Sequence, residues 1–352
     1  MKDLPALAAT GIGSVPFQDL GETLDRIARD CPILPYWPQM IRLHKGADMT
    51  VQFALKLPSL TVNVEERQVI VETEEREQAL TGFYEHLLGE DLDYFALPLD
   101  SGAGFYTFIE KAAADPAYGP DFLKGQVTGP ITFGQMVRDA DGKSLLDIPE
   151  LKDTVVKGLG AMAAWQARKI RAAGRLPLIF LDEPSLTGFG SAFSTLSRDD
   201  VIQMLDDTAE TARSDGEILV GIHICGNTDW AMIMSTSLDV INFDAFGFMD
   251  NFLLYPKEIT GFIQRGGYIA WGIGPTLDYS GNETPEGLAD RIESAWQKLA
   301  DQGLDPALLR KRSLITPACG LGPLDETTAV AVSELVARTA GVLKDRATGQ
   351  EK

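Results

Sequence analysis

Cysteine and histidine are scarce in this chain: its 352 residues hold three of each. The thiols of Cys31, Cys225 and Cys319 are odd in number and far apart. That argues against a disulfide scaffold and fits free thiols in a reducing cytoplasm. Basic residues are also in deficit, with 31 Lys and Arg against 51 Asp and Glu and a formal net charge of −20. A binder of nucleic acid or of an anionic membrane needs the opposite balance. No apolar run approaches the ~20 residues of a membrane-spanning helix. The N-terminal MKDLPALAATGIGS has no basic n-region feeding a long apolar stretch, so no signal peptide is expected. Internal repeats, low-complexity tracts and an obvious interdomain linker are missing as well.

What is present is a rhythm of short apolar runs and helical patterns. The runs are AATGIGS (8–14), DYFALPL (93–99), LKGQVTG (123–129), LPLIFLD (176–182), ILVGIHIC (218–225), DVINFDA (239–245), YIAWGIG (268–274) and SLITPACG (313–320). Most end in Gly, Pro or Asp, as buried parallel strands do. Between them, 149–173, 197–216 and 284–303 have helical spacing, and the second opens on a Ser cap and stops at Gly. Eight strands alternating with helices predict a (β/α)8 TIM barrel, here over residues 1–345, with an open doubly wound sheet as the alternative. The first connection, 15–92, is too long for a simple crossover. TVQFAL (50–55) and SLTVNV (59–64) flank a Lys-Leu-Pro turn inside it, which suggests a hairpin or cap over the barrel mouth. Residues 346–352 read as a disordered tail.

A barrel of this kind places its chemistry at the C-terminal ends of its strands. The predicted fifth strand ends in His223-Ile224-Cys225. Side chains at i and i+2 of an extended segment point the same way, so His223 and Cys225 can grip one ion. Cys319, at the end of the eighth strand, can reach the same mouth, and Asp244, ending the sixth, can supply an oxygen. Two thiolates, an imidazole and an exchangeable oxygen suit Zn2+, which in turn lowers the pKa of a thiol that binds it. Each residue also has a plainer reading: a lone H-x-C is more often core, a cysteine alone is usually buried packing, and an aspartate can cap a helix. Asp182-Glu183 puts carboxylates at the mouth, to hold a substrate ammonium or to begin a loop or helix. Gly11-Ile12-Gly13-Ser14 leaves amides and a hydroxyl for a carboxylate, without the rest of a dinucleotide fingerprint. The acidic run 64–77 is most simply a solvated face, though Glu74 can point inward. Cys31 reads as packing, and His44 and His86 as surface or capping residues.

ATGIGSVP, LKGQVTGPITF, FLDEPSL, HICGNTDW, DVINFDAFG and ITPACGLG, in this order, resemble the catalytic barrel of cobalamin-independent methionine synthase. They are also similar to the methyl-corrinoid:thiol methyltransferases of the uroporphyrinogen-decarboxylase-like superfamily. The resemblance runs over about residues 8–340. It implies a zinc barrel that methylates a thiol, with His223, Cys225 and Cys319 as ligands. Asp244 falls where methionine synthases carry a glutamate ligand, a shorter side chain in that place. Ile12, Gly13 and Ser14 would hold the substrate carboxylate, Asp182 its amino group, and Glu74 would also bind substrate. Folate-dependent members are about twice as long and carry a histidine after the seventh strand that protonates the folate. Here that segment reads GIGPTLDYSGNETP, without histidine. A tertiary folate amine must be protonated to leave, whereas a corrinoid needs no such acid. The resemblance therefore implies the short, core type of enzyme: homocysteine as acceptor, a methylcobalamin-type donor, and a corrinoid protein as partner. The same chemistry on coenzyme M or another small thiol is the alternative, and a metal-free decarboxylase of the superfamily the more distant one.

Overall fold

The computed structural model describes residues 2–72, 75–189 and 196–349. Two short strands open the chain, β1 (Ser14–Val15) and β2 (Gln39–Met40), and pair in parallel. A hairpin follows, β3 (Leu60–Asn63) with β4 (Gln68–Val71). The centre is a six-stranded parallel sheet of β5 (Phe122–Thr128), β6 (Leu176–Asp182), β7 (Leu219–Ile224), β8 (Val240–Phe243), β9 (Tyr268–Gly274) and β10 (Ser313–Pro317), in that order across the sheet. These strands are almost wholly buried, which is why they read as continuous apolar runs rather than alternating ones.

The two edges of this sheet are tied to irregular chain. Ala9 bridges Ile315 of β10, and Tyr36 bridges Lys124 of β5. Backbone bonds reinforce both contacts: Leu7 N–H to Ser313 O at 2.7 Å, and Lys124 N–H to Pro35 O at 2.9 Å. The architecture is α/β and TIM-barrel-like; among the described residues its central sheet has six parallel strands rather than the eight expected. The expected helices form at Pro149–Ala172, Arg198–Arg213 and Pro285–Ala300; Ser197 caps the second with a capping box. Among the described residues, no helix is long and apolar enough to cross a membrane.

The insertion differs from expectation in detail. The run 93–99 is not a strand: Leu92–Phe95 forms a 3-10 turn whose Phe95 packs edge-on against Phe83, while Trp165 donates to Asp93 at 3.1 Å. Its apolar residues face a helix, not a neighbouring strand. The place next to β5 is filled by residues 35–37, in a stretch with prolines at 35 and 38 that disguise extended chain. A hairpin does form, but one step later. TVQFAL yields the short helix Val51–Ala54, with Asp48 accepting from Thr50 N–H (2.9 Å) and Val51 N–H (3.2 Å). The hairpin turn lies at 64–67, where Arg67 adopts φ +50°. At the C-terminus, helix Glu326–Thr348 runs through part of the expected tail, whose last residues, 350–352, lie outside those described.

The two acids at the end of β6 have separate fates. Glu183 is fully buried and accepts from the first free amides of helix Pro130–Met136, Ile131 at 2.9 Å and Thr132 at 2.7 Å. Burial pushes its pKa up to about 7 against the pull of Thr132 and those amides. Its work is to cap a helix. Glu183→Ala is therefore expected to lower stability by about 2–4 kcal/mol, since two buried amides lose their acceptor. Urea denaturation of the variant checks this.

Candidate metal centre

His223 lies near the end of β7 with its side chain buried, and Cys225 follows one step past the strand. Cys319 arrives from the loop after β10. One ligand atom from each residue lies within 4.8 Å of the other two. Positions far apart in sequence thus meet because strand ends of a parallel, curved sheet share one rim.

The imidazole is locked from behind. Asn242, on β8 beside His223, donates through Nδ2 to Ala270 O at 2.8 Å and to Thr316 Oγ1 at 2.8 Å. The Thr316 hydroxyl passes its own proton to Pro317 O at 2.9 Å. A carbonyl can only accept, so the Asn242 amide has one orientation, and its Oδ1 must face His223 Nδ1. Nδ1 is then the protonated nitrogen, and Nε2 keeps a free lone pair for a metal.

The thiols are unequal. Cys225 is drawn down to about 4 by the hydrogen bond from Cys319 and by His223, against burial. Cys319 is pushed up by that same bond and by burial. Their contact thus pushes the two thiols in opposite directions. Burial works against a charged His223, but Cys225 and Asp182 leave its pKa raised. A thiolate, a second sulfur and a neutral-capable imidazole form a donor set that fits Zn2+.

A cavity of about 220 Å3 opens onto these three residues, and Ile12, Ser14 and Asp182 also line it. From the insertion come Gln39, Ile41, Asp48, Met49 and Arg67. Asp182 Oδ1 is buried there with no hydrogen-bond partner. Burial lifts its pKa to about 6, while His223 and Lys124 pull it down.

In fold, the chain resembles a B12-independent methionine synthase. That solved structure, from Shewanella sp. W3-18-1 in complex with selenomethionine, has TM-score 0.62 and 16% identity, covering 98% of this chain and 100% of the other. Two others align more loosely. A fungal β-1,4-galactanase has TM-score 0.37 and 11% identity, over 65% of this chain and 82% of its own. Dihydropteroate synthase from Thermus thermophilus has TM-score 0.33 and 11% identity, over 97% of this chain and 95% of its own. No family model and no curated protein matches the sequence.

The remaining expected residues fall in different places. Asp244 does not join the cluster: its carboxylate accepts from Gly247 N–H at 2.7 Å and caps helix Ala245–Phe252. Gly13 is buried between the two cavity-lining residues Ile12 and Ser14. Glu74 lies outside the described residues. Cys31 is buried. His44 accepts from Gly46 N–H at 3.0 Å, and His86 stacks on Tyr94. Sequence reasoning passed over Asn242 and Lys124, although a polar residue inside a buried apolar strand is itself a signal.

Asn242→Ala frees the imidazole to rotate and is expected to weaken zinc binding by about 10–100-fold in a chelator competition. Asp244→Asn keeps a helix cap and is expected to leave zinc affinity unchanged. Equal loss in both variants would put Asp244 in the ligand shell instead.

Proposed function

We propose that this chain is a zinc-dependent thiol methyltransferase that converts homocysteine to methionine. The observation that carries the reading is the meeting of His223, Cys225 and Cys319 at a cavity that also holds an unpartnered buried carboxylate. Zinc held by these residues would make a substrate thiol a thiolate at neutral pH. The chain's own groups then orient the acceptor. Asp182, whose side chain lines the cavity, accepts the substrate ammonium. Ser14 and the amides beside it receive the carboxylate, and the two contacts fix an α-amino acid by its head. The insertion, with the β3–β4 hairpin behind Arg67, forms part of the cavity wall. In this reading 1–345 is one catalytic unit, 15–92 is its cap, and the bridged segments 7–15 and 35–40 complete the barrel.

The donor follows from a missing acid. A folate amine needs a proton to leave. The segment after β9 carries no histidine, and His223, the one buried histidine, belongs to the metal cluster. A methyl-corrinoid, delivered by a corrinoid protein, needs no proton donor. Coenzyme M is the second reading, because Arg67 offers a cation to a sulfonate. Asp48 and Asp182 in the same wall weigh against it.

The test supplies methylcobalamin and homocysteine with and without a zinc chelator. Methionine should form, stop on chelation, return with zinc, and be absent from a Cys225→Ser/Cys319→Ser double variant. No zinc-restored product from the wild type would sink the proposal, and faster methylation of coenzyme M would favour the second reading.

A further inference from the structure

The proposed chemistry leaves one interior charge unused. Lys124, on β5, is completely buried. Its Nζ donates to the Ile12 carbonyl at 2.5 Å, lies 3.4 Å from Gln126 Oε1, and sits 4.5 Å from the centre of the Phe180 ring. Burial pushes its pKa down to about 8, and Asp182 and Cys31 oppose that, so it remains mostly a cation at neutral pH.

The bond to Ile12 has a directional consequence. A trans peptide is planar, so the Ile12 carbonyl and the Gly13 N–H point opposite ways. With the carbonyl turned to an ammonium inside the sheet, the Gly13 N–H is turned away from it. The residues on either side of it, Ile12 and Ser14, both line the mouth cavity. Among the described residues this N–H has no hydrogen-bond partner. Gln126 guards the arrangement. Its side chain lies 2.6 Å from where a Cβ on Gly13 would be, and donates to Trp37 O at 3.2 Å. The glycine is needed for that close approach, and the peptide cannot sink without displacing the amide.

We propose that Lys124 is a positioning residue: by gripping the Ile12 carbonyl it aims the Gly13 N–H at the substrate carboxylate, without touching substrate itself. The inference rests on the amino-acid reading of the site, and it separates from that reading by experiment. Binding of L-methionine and of its decarboxylated analogue methylthiopropylamine is measured by calorimetry, with zinc content measured by mass spectrometry.

Wild type should prefer methionine. Lys124→Met should lose about tenfold in its preference for methionine over the amine, the size expected when a buried carbonyl is orphaned and its peptide turns; loss of the cation facing Asp182 acts on the ammonium of both ligands alike, and zinc content should be unchanged. A merely structural role would lower both affinities by the same factor, and that outcome overturns the proposal. A wild-type preference that survives in Lys124→Met also overturns it, while leaving the amino-acid reading intact. Wild type that binds methionine no better than the amine overturns both. Lys124→Gln keeps an N–H donor and should retain part of the preference. Should the Met variant not fold, the Gln variant decides alone: a reduced preference supports the role and an undiminished one rejects it.

Discussion

Asp182, His223 and Asn242 lie in one row across β6, β7 and β8, paired residue to residue by the parallel register. Side chains on a strand alternate with a period of two, so a slip of one residue in any of these pairings would turn one of the three to the opposite face. The cavity carboxylate, the imidazole and the amide that orients it therefore depend on a single alignment. That alignment is enforced by the apolar residues between them, since Leu181, Ile222 and Ile241 are fully buried. The hydrophobic packing of the sheet fixes the chemistry of its rim.

The same alternation explains why adjacent acids do different work. Asp182 and Glu183 follow one another, so one faces the mouth while the other turns towards the next helix. Glu183 finds two amides and is satisfied. Asp182 keeps an oxygen without a partner. A buried carboxylate in that condition is costly unless something compensates it, and the Lys124 ammonium supplies an opposing charge. The interior thus holds a short ladder of polar groups inside an otherwise apolar sheet. Each member answers to a neighbour, and Asp182 also lines the cavity.

Much of this was legible from sequence because it rests on local rules. The six sheet strands and the helices Pro149–Ala172, Arg198–Arg213 and Pro285–Ala300 follow from run length, punctuation and caps. His223 and Cys225 are related by i, i+2 spacing, and Cys319 by its place at a strand end. What escaped notice depends on tertiary packing. Residues 35–40 hold the position beside β5 despite two prolines, because an edge tied at single points does not need a full ladder of N–H donors. The run 93–99 looks like a strand only until its apolar residues find a helix to pack on. Asp244 shows that a side chain at the right rim can be claimed by the nearest helix start, whose free amides are local and always present. Asn242 could be suspected but not assigned, since its role comes from three partners on three other strands.

The segment proposed to bind the substrate head and the cluster of thiols are also one mechanical unit. Gly320 follows Cys319, and a Cβ there would lie 2.2 Å from Ser14 Oγ, so glycine lets the two loops touch. The next amide, Leu321 N–H, donates to Ser14 O at 2.9 Å. Any shift of the Ile12–Ser14 segment is passed within two residues to the sulfur of Cys319. From the other side, Lys124 holds the same segment through Ile12. The proposed carboxylate subsite is thus clamped between the floor of the sheet and the metal centre. A group bound at Ser14 and a group bound at Cys319 are held at one spacing by the backbone. Such fixed geometry lowers the entropic cost of bringing a thiol to its reaction partner. It also gives a physical reason for a head-group contact so far from the reacting sulfur to matter: the contact sets where along the cavity that sulfur comes to rest.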